Sequence, residues 1–170
     1  YHFINILTKI LEKDKKGMIF IIYSSNKEIN KIKEIFIKYS QRVMMIPFLT
    51  KKDNYNYIIK NSKILIDPYP FGSLNTCLDI LNLNKINVVY PSKKINGNFA
   101  YGFYKQMNIL EPIAYSEDQF VEKCITFMNN DKLRLEIENK IKLKKHVLFE
   151  SKDSINEYNK ILKQIYDNHI

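Results

Sequence analysis

Short apolar runs rich in β-branched residues alternate in this chain with segments whose apolar residues recur at helical spacing. That alternation restricts the fold more than any other feature. "MIFIIY" (Met18–Tyr23), Val43–Ile46, Ile64–Ile66 and "INVVY" (Ile86–Tyr90) read as strands. A continuous run such as the first predicts a strand buried on both faces. Phe3, Leu7, Ile10 and Leu11 form a helical stripe ahead of the first strand, and Ile29, Ile32, Phe36 and Tyr39 another behind it. Shorter helices are expected over Asp53–Asn61 and from Asn75 to about Leu83. From Glu117 onward the chain reads as helical, with one stripe at Phe120, Val121, Cys124, Ile125 and Met128 and another at Ile155, Tyr158, Leu162 and Ile165. Strands and helices in strict alternation with short connections imply parallel strands joined by helical crossovers, an α/β open sheet with extra C-terminal helices. With 170 residues, 45% of them hydrophobic, and no internal repeat, the chain is expected to form one domain. Tyr1 is not an initiator methionine, so the chain is expected to be a piece of a longer protein.

The net charge of +9 suggests nucleic acid, but its distribution argues against that partner. Arg42 and Arg134 are the only arginines, and the lysines are spread through the chain rather than set among aromatics on one face. The densest run, Lys140–Lys145, falls at the end of a helical pattern, where cations suit the helix dipole. No stretch approaches the roughly 20 apolar residues of a membrane span, and residues 1–20 do not read as a signal peptide. Cys77 and Cys124 lie on apolar helix faces, so a disulfide is not expected and a cytoplasmic setting is. His2, His146 and His169 are scattered, with no metal-site or triad spacing, and His146 reads as a helix-end histidine.

One bend stands out. "DPYPFGSLNT" (Asp67–Thr76) follows the third strand run, leads into a helix, and holds Gly72, one of only four glycines. In open parallel sheets ligands sit beyond the carboxyl ends of the strands, at such turns. Leu74, Cys77, Leu78 and Leu81 have the i, i+3, i+4, i+7 spacing that packs a helix onto a sheet, which leaves Asn75, Thr76 and Asp79 on another face. Gly72 lets the backbone approach a ligand closely, Ser73, Asn75 and Thr76 supply small polar groups, and the helix N-terminus attracts phosphate. Asp79 would repel a phosphate but suits the hydroxyls of a ribose. The site loop lacks the clustered carboxylates that hold Mg²⁺, so no metal is expected. The other reading is a capped turn, with Asn75 as N-cap and Asp79 in a solvated first turn.

"ILIDPYPFGSLNTCLDILNLNKINVVYP", "NFAYGFYKQMNILEPIAYSEDQFVEKC" and "HVLFES" resemble, in order and spacing, the donor-lobe segments of the O-GlcNAc transferase and SPINDLY family, glycosyltransferase family 41. The resemblance covers most of the chain. It implies a Rossmann-like open parallel sheet, the C-terminal, nucleotide-sugar-binding lobe of a GT-B glycosyltransferase. The catalytic lobe and acceptor-recruiting helical repeats of that family have no counterpart in these residues. By resemblance, Ser73, Leu74, Asn75 and Thr76 hold the donor diphosphate and Asp79 the ribose. Tyr55 takes the base-stacking position, with Lys52 and the backbone near Thr50 bordering the same base. Read without the resemblance, Tyr55 is a half-exposed helix aromatic.

Two positions depart from the family pattern. Asn98 stands where an arginine is usual, and Leu74 where some members have a histidine; Lys93 and Lys94 are nearby cations that could compensate. The family's phosphate-contacting lysine would fall before Tyr1. The implied function is metal-independent transfer of a sugar, GlcNAc from UDP-GlcNAc as the family default, to Ser or Thr hydroxyls of a protein acceptor. GDP-fucose is the alternative donor, as in SPINDLY proteins. A catalytically inactive interaction module is the alternative from another class, since the departures at Asn98 and Leu74 permit it. Catalytic residues are expected on the lobe this chain lacks.

Overall fold

The computed structural model describes residues 2–25, 29–149 and 151–168. Tyr1, Glu150 of "HVLFES" and His169, which entered the sequence argument, lie outside them. Helix α1 (His2–Lys13) buries Ile6, Leu7, Ile10 and Leu11, as its stripe requires. The turn after it is fixed from a distance. Arg42 donates from Nε to the Gly17 carbonyl at 2.9 Å, from Nη1 to Leu11 at 3.0 Å and from Nη2 to Asp14 at 2.5 Å. One planar fork thus satisfies three carbonyls around the end of α1.

Strand β1 (Ile19–Tyr23) pairs in parallel with β2 (Val43–Pro47), in register from Ile19 opposite Val43 to Tyr23 opposite Pro47. The expectation that Met18–Tyr23 is buried on both faces is not met. Phe20 remains 46% exposed and Ile22 36%, while Ile19, Ile21 and Tyr23 are half-buried. Successive side chains on a strand point to opposite faces, and here the face carrying Met18, Phe20, Ile22 and Met44 is open to solvent. Between these strands α2 (Ile29–Ile35) continues into a 3₁₀ turn at Ile37–Tyr39, and it is Ile29 and Phe36 that reach the core.

Helix α3 (Lys52–Asn61) leads to β3 (Leu65–Ile66), which pairs in parallel with β4 (Asn87–Val88), Leu65 opposite Asn87 and Ile66 opposite Val88. Helix α4 (Asn75–Asn82) is the crossover between them. Only the middle of the fourth apolar run joins this ladder. Its next residue, Val89, makes an isolated parallel bridge to Ile113, a further strand-like contact that the sequence pattern did not announce. Helix α5 (Phe99–Gln106) lies between the two. The main core gathers where α1, α4, β4, α5, α6 (Glu117–Asn129) and α7 (Asp131–Lys144) meet, around Leu81, Ile86, Tyr104, Phe120 and Ile137. Each fully buried side chain of this size contributes about 1.5–3 kcal/mol relative to leaving it in water.

After α8 (His146–Phe149), helix α9 (Lys152–Asp167) carries the last predicted stripe, and none of it is buried. Ile155, Tyr158, Ile161, Leu162 and Ile165 are all exposed. The lysine run at the end of α7 is engaged within the fold. Lys140 pairs with Glu111 at 2.6 Å, Lys144 donates to the Asn108 carbonyl at 3.1 Å, and Lys145 donates to the Asn82 carbonyl. Among the described residues no helix is long and apolar enough to cross a membrane.

Candidate functional site

The bend of residues 67–74 lies at the C-terminal end of β3, where the chain turns toward α4. Asp67 donates its N–H to the Val88 carbonyl at 2.9 Å, so the bend starts as a direct extension of the sheet. The Tyr69–Pro70 peptide is cis, Gly72 takes a φ of +72°, and the Gly72 N–H returns to the Pro68 carbonyl at 2.6 Å. Only glycine adopts that backbone without a steric penalty. A side chain there would also strike the backbone of Asn96 and Gly97 in the loop that leads to α5. Tyr69 stacks on Tyr90, the rings 4.6 Å apart, which ties the bend to the segment after β4.

Beneath the bend is a carboxylate whose role the sequence reading missed. Asp67 is 3% exposed and accepts the hydroxyl hydrogen bond of Ser73 and, at 3.1 Å, that of the Asn87 side-chain amide. Burial pushes its pKa up, and the bonds from Ser73 and Asn87 hold it back. Asn87 in turn donates its backbone N–H to the buried Tyr104 hydroxyl at 2.9 Å. The only prior signals were a single Asp closing an apolar run and an Asn within "INVVY". The Ser73 hydroxyl has one proton, and it is given to Asp67. Gly72 and Ser73 therefore shape the bend, and the Ser73 side chain is not the free donor that the sequence suggested.

The start of α4 also differs from expectation. Leu74, not Asn75, occupies the N-cap position, and no side chain caps this helix. The cap residues of α3 and α5 likewise accept none, whereas those of α6, α7 and α9 do: Ser116 from Gln119, Asn130 from Leu133 and Ser151 from Ser154. Leu74 is 42% exposed and so leaves the predicted packing stripe; Cys77, Ile80 and Leu81 form the buried face. The first α-helical bond here runs from the Leu78 N–H to the Leu74 carbonyl. Amides in the first turn of an uncapped helix face outward as donors. Asn75 and Thr76 are exposed beside them, and Asp79 is half-buried one turn on.

Tyr55, half-buried on α3, brings a second element to the same place. Burial raises its pKa, with the neighbouring Thr76 side chain opposing and the Asp79 charge adding. Tyr55 of α3 thus lies near Thr76 and Asp79 of α4. Lys52 opens α3 and Thr50 lies two residues before it, both exposed and joined to this group through the helix. Asn98, at the arginine position, is a loop staple: its Nδ2 donates to the Ser92 carbonyl at 2.7 Å and the Lys94 carbonyl at 2.8 Å. Lys93 and Lys94 are exposed on that loop. His146 lies apart at the start of α8, with Nδ1 3.1 Å from the Leu143 carbonyl. Both cysteines are buried and free. Among the described residues no three His, Cys, Asp or Glu side chains gather as metal ligands would.

No family model matches the chain. Over 84 residues, 49% of its length, it is 27% identical to the UDP-glucose:protein N-beta-glucosyltransferases of Actinobacillus pleuropneumoniae serotypes 5b and 7. The match spans 14% of those curated relatives. Its backbone is similar to that of a mutant O-GlcNAc transferase from Thermobaculum terrenum, with a TM-score of 0.82 at 10% identity. That likeness covers 98% of this chain and 32% of the solved one. The fold is thereby shown to be an α/β lobe with parallel strands, of the kind found in GT-B glycosyltransferases.

Proposed function

We propose that this chain is the donor-binding lobe of a protein glycosyltransferase and holds a nucleoside diphosphate sugar against the start of α4. One observation carries the reading: the uncapped first turn of α4, beyond the end of β3, converges with Tyr55 and Asp79. The first-turn amides and the helix dipole meet the diphosphate, Asn75 and Thr76 border it, Asp79 takes ribose hydroxyls, and the Tyr55 ring stacks on the base. Lys52 and the backbone near Thr50 border the base edge. As the sugar is transferred, negative charge grows on the departing diphosphate, and fixed amides aimed at it lower the barrier. In this reading donor binding needs no metal, and UDP affinity in the presence of a chelator tests that directly. The acceptor side and the catalytic groups belong to a second lobe.

The donor we assign is a UDP-sugar, with GlcNAc first and protein hydroxyls as acceptor. The names of the curated relatives favour glucose as a second reading, and they also specify a UDP donor and a protein acceptor. GDP-fucose is the donor this assignment competes with, and an inactive interaction module is the reading from outside enzymology. Thermal-shift titration of UDP against GDP decides the base. UDP should raise Tm more at equal concentration; a larger shift with GDP overturns the donor assignment, and no shift with either favours the interaction module.

A further inference from the structure

We infer that Asp67 is the positioning residue of the diphosphate bend, setting through Ser73 the path of the backbone into α4. The inference rests on the proposed donor site and goes beyond it to a group that would not touch the ligand. Asp67 emerges from β3, held by its own N–H on Val88 at 2.9 Å. Its carboxylate accepts the Ser73 hydroxyl hydrogen bond. A second comes from Asn87 on β4, at 3.1 Å. Both ends of the bend, residues 67 and 73, are therefore closed on each other around one side chain. Gly72 is pressed between the same carboxylate and the Asn96–Gly97 backbone, which leaves the bend no room to spread.

The arrangement has an electrostatic logic. Among the described residues no cation pairs with Asp67: its carboxylate accepts from Ser73 and Asn87, both neutral. A buried carboxylate so placed is costly unless hydrogen bonds satisfy it, and once satisfied such a network rigidifies what it joins. What it holds is the Ser73 hydroxyl, turned inward. The Ser73 hydroxyl is thereby withheld from a diphosphate, which is left the backbone amides at the start of α4. Asp67 thus decides which donors the ligand meets, without meeting the ligand itself.

Hydrogen exchange and nucleotide titration on Ser73→Ala, Asp67→Asn and the double variant test this. In the free protein, both single variants should speed exchange of the amides of residues 72–76 and leave α5 and α6 unchanged. Each should weaken UDP about tenfold, in keeping with loss of a hydrogen bond to a charged group. Uridine, which lacks the diphosphate, should change less than about twofold. The double variant should be no weaker than the worse single one, because both act through one link. Unchanged free-state exchange in Ser73→Ala, or losses that multiply in the double variant, would make Ser73 a direct ligand donor and overturn the inference. Ser73→Ala leaves the buried groups in place, so it decides the matter even if Asp67→Asn does not fold. Failure of the unaltered protein to bind UDP or GDP would instead sink the proposed function, and the exchange result would still judge Asp67.

Discussion

A Cβ built on Gly72 would stand 2.7 Å from the carbonyl oxygen of Asn96 and 2.9 Å from the Gly97 Cα. Both atoms are backbone, so neither can rotate aside. Gly72→Ala also forces an L side chain to a φ of +72°. We expect a loss of about 2–3 kcal/mol from the strained conformation and the displaced loop. For a domain of this size that lowers Tm by roughly 4–12 °C. Differential scanning calorimetry reads the first effect, and UDP binding should weaken with it.

We propose that the Tyr55 ring stacks on the base. Tyr55→Ala should weaken UDP by about 1–3 kcal/mol, the usual worth of base–aromatic stacking. Tyr55→Phe, which keeps the ring, should retain most of the affinity. Isothermal calorimetry with both variants is the check; equal losses in the two would remove stacking from the account.

Asp79 is assigned to ribose. Asp79→Ala should weaken UDP about tenfold. The more telling result is selectivity: the unaltered protein should prefer UDP over its 2′- or 3′-deoxy analogues, and the variant should not. If Asp79→Ala tightened UDP, the carboxylate would be acting only by repelling phosphate.

Acid should loosen the contact between α1 and α6. The hydrogen bond from Lys9 holds the Glu117 carboxyl below the ordinary glutamate range, with the charges of Lys9 and His2 acting in the same direction. A depressed acid contributes stability that is complete above its unfolded pKa, about 4.3, and is lost as pH falls through the lower folded value. Denaturant melts from pH 7 to pH 3 should therefore show a smaller acid-dependent loss for Glu117→Gln than for the unaltered protein.

Local pattern revealed the strand–helix alternation, the parallel pairing it demands and the inward turn of Cys77 and Leu81. Those features follow from period. Gly72, by contrast, was singled out for a ligand's approach and not for the φ of +72° and the Asn96–Gly97 backbone that require it. Asp67 escaped because its partner Asn87 lies twenty residues away in the chain, on the neighbouring strand, and the link exists only after β3 and β4 pair. The cap of α4 was misplaced by one residue because Asn75 is a far better cap former than Leu74, and propensity cannot see that the bend delivers Leu74 there. Phe20 and Ile22 were assigned to the interior because a run of apolar residues does not say whether both faces of its strand are covered.

Cys77 follows directly on Thr76, with its side chain turned into the core and its thiol pushed up to about 12 by burial, the Asp67 charge adding to the effect. Alkylating reagents attack the thiolate, so at ordinary pH this sulfur is silent until α4 lifts away. It is thus a clock built into the lobe. The rate at which a small iodoacetamide marks Cys77 counts how often the helix opens. A ligand seated at the front of α4 should slow that clock, while Cys124, buried in α6, keeps its own time.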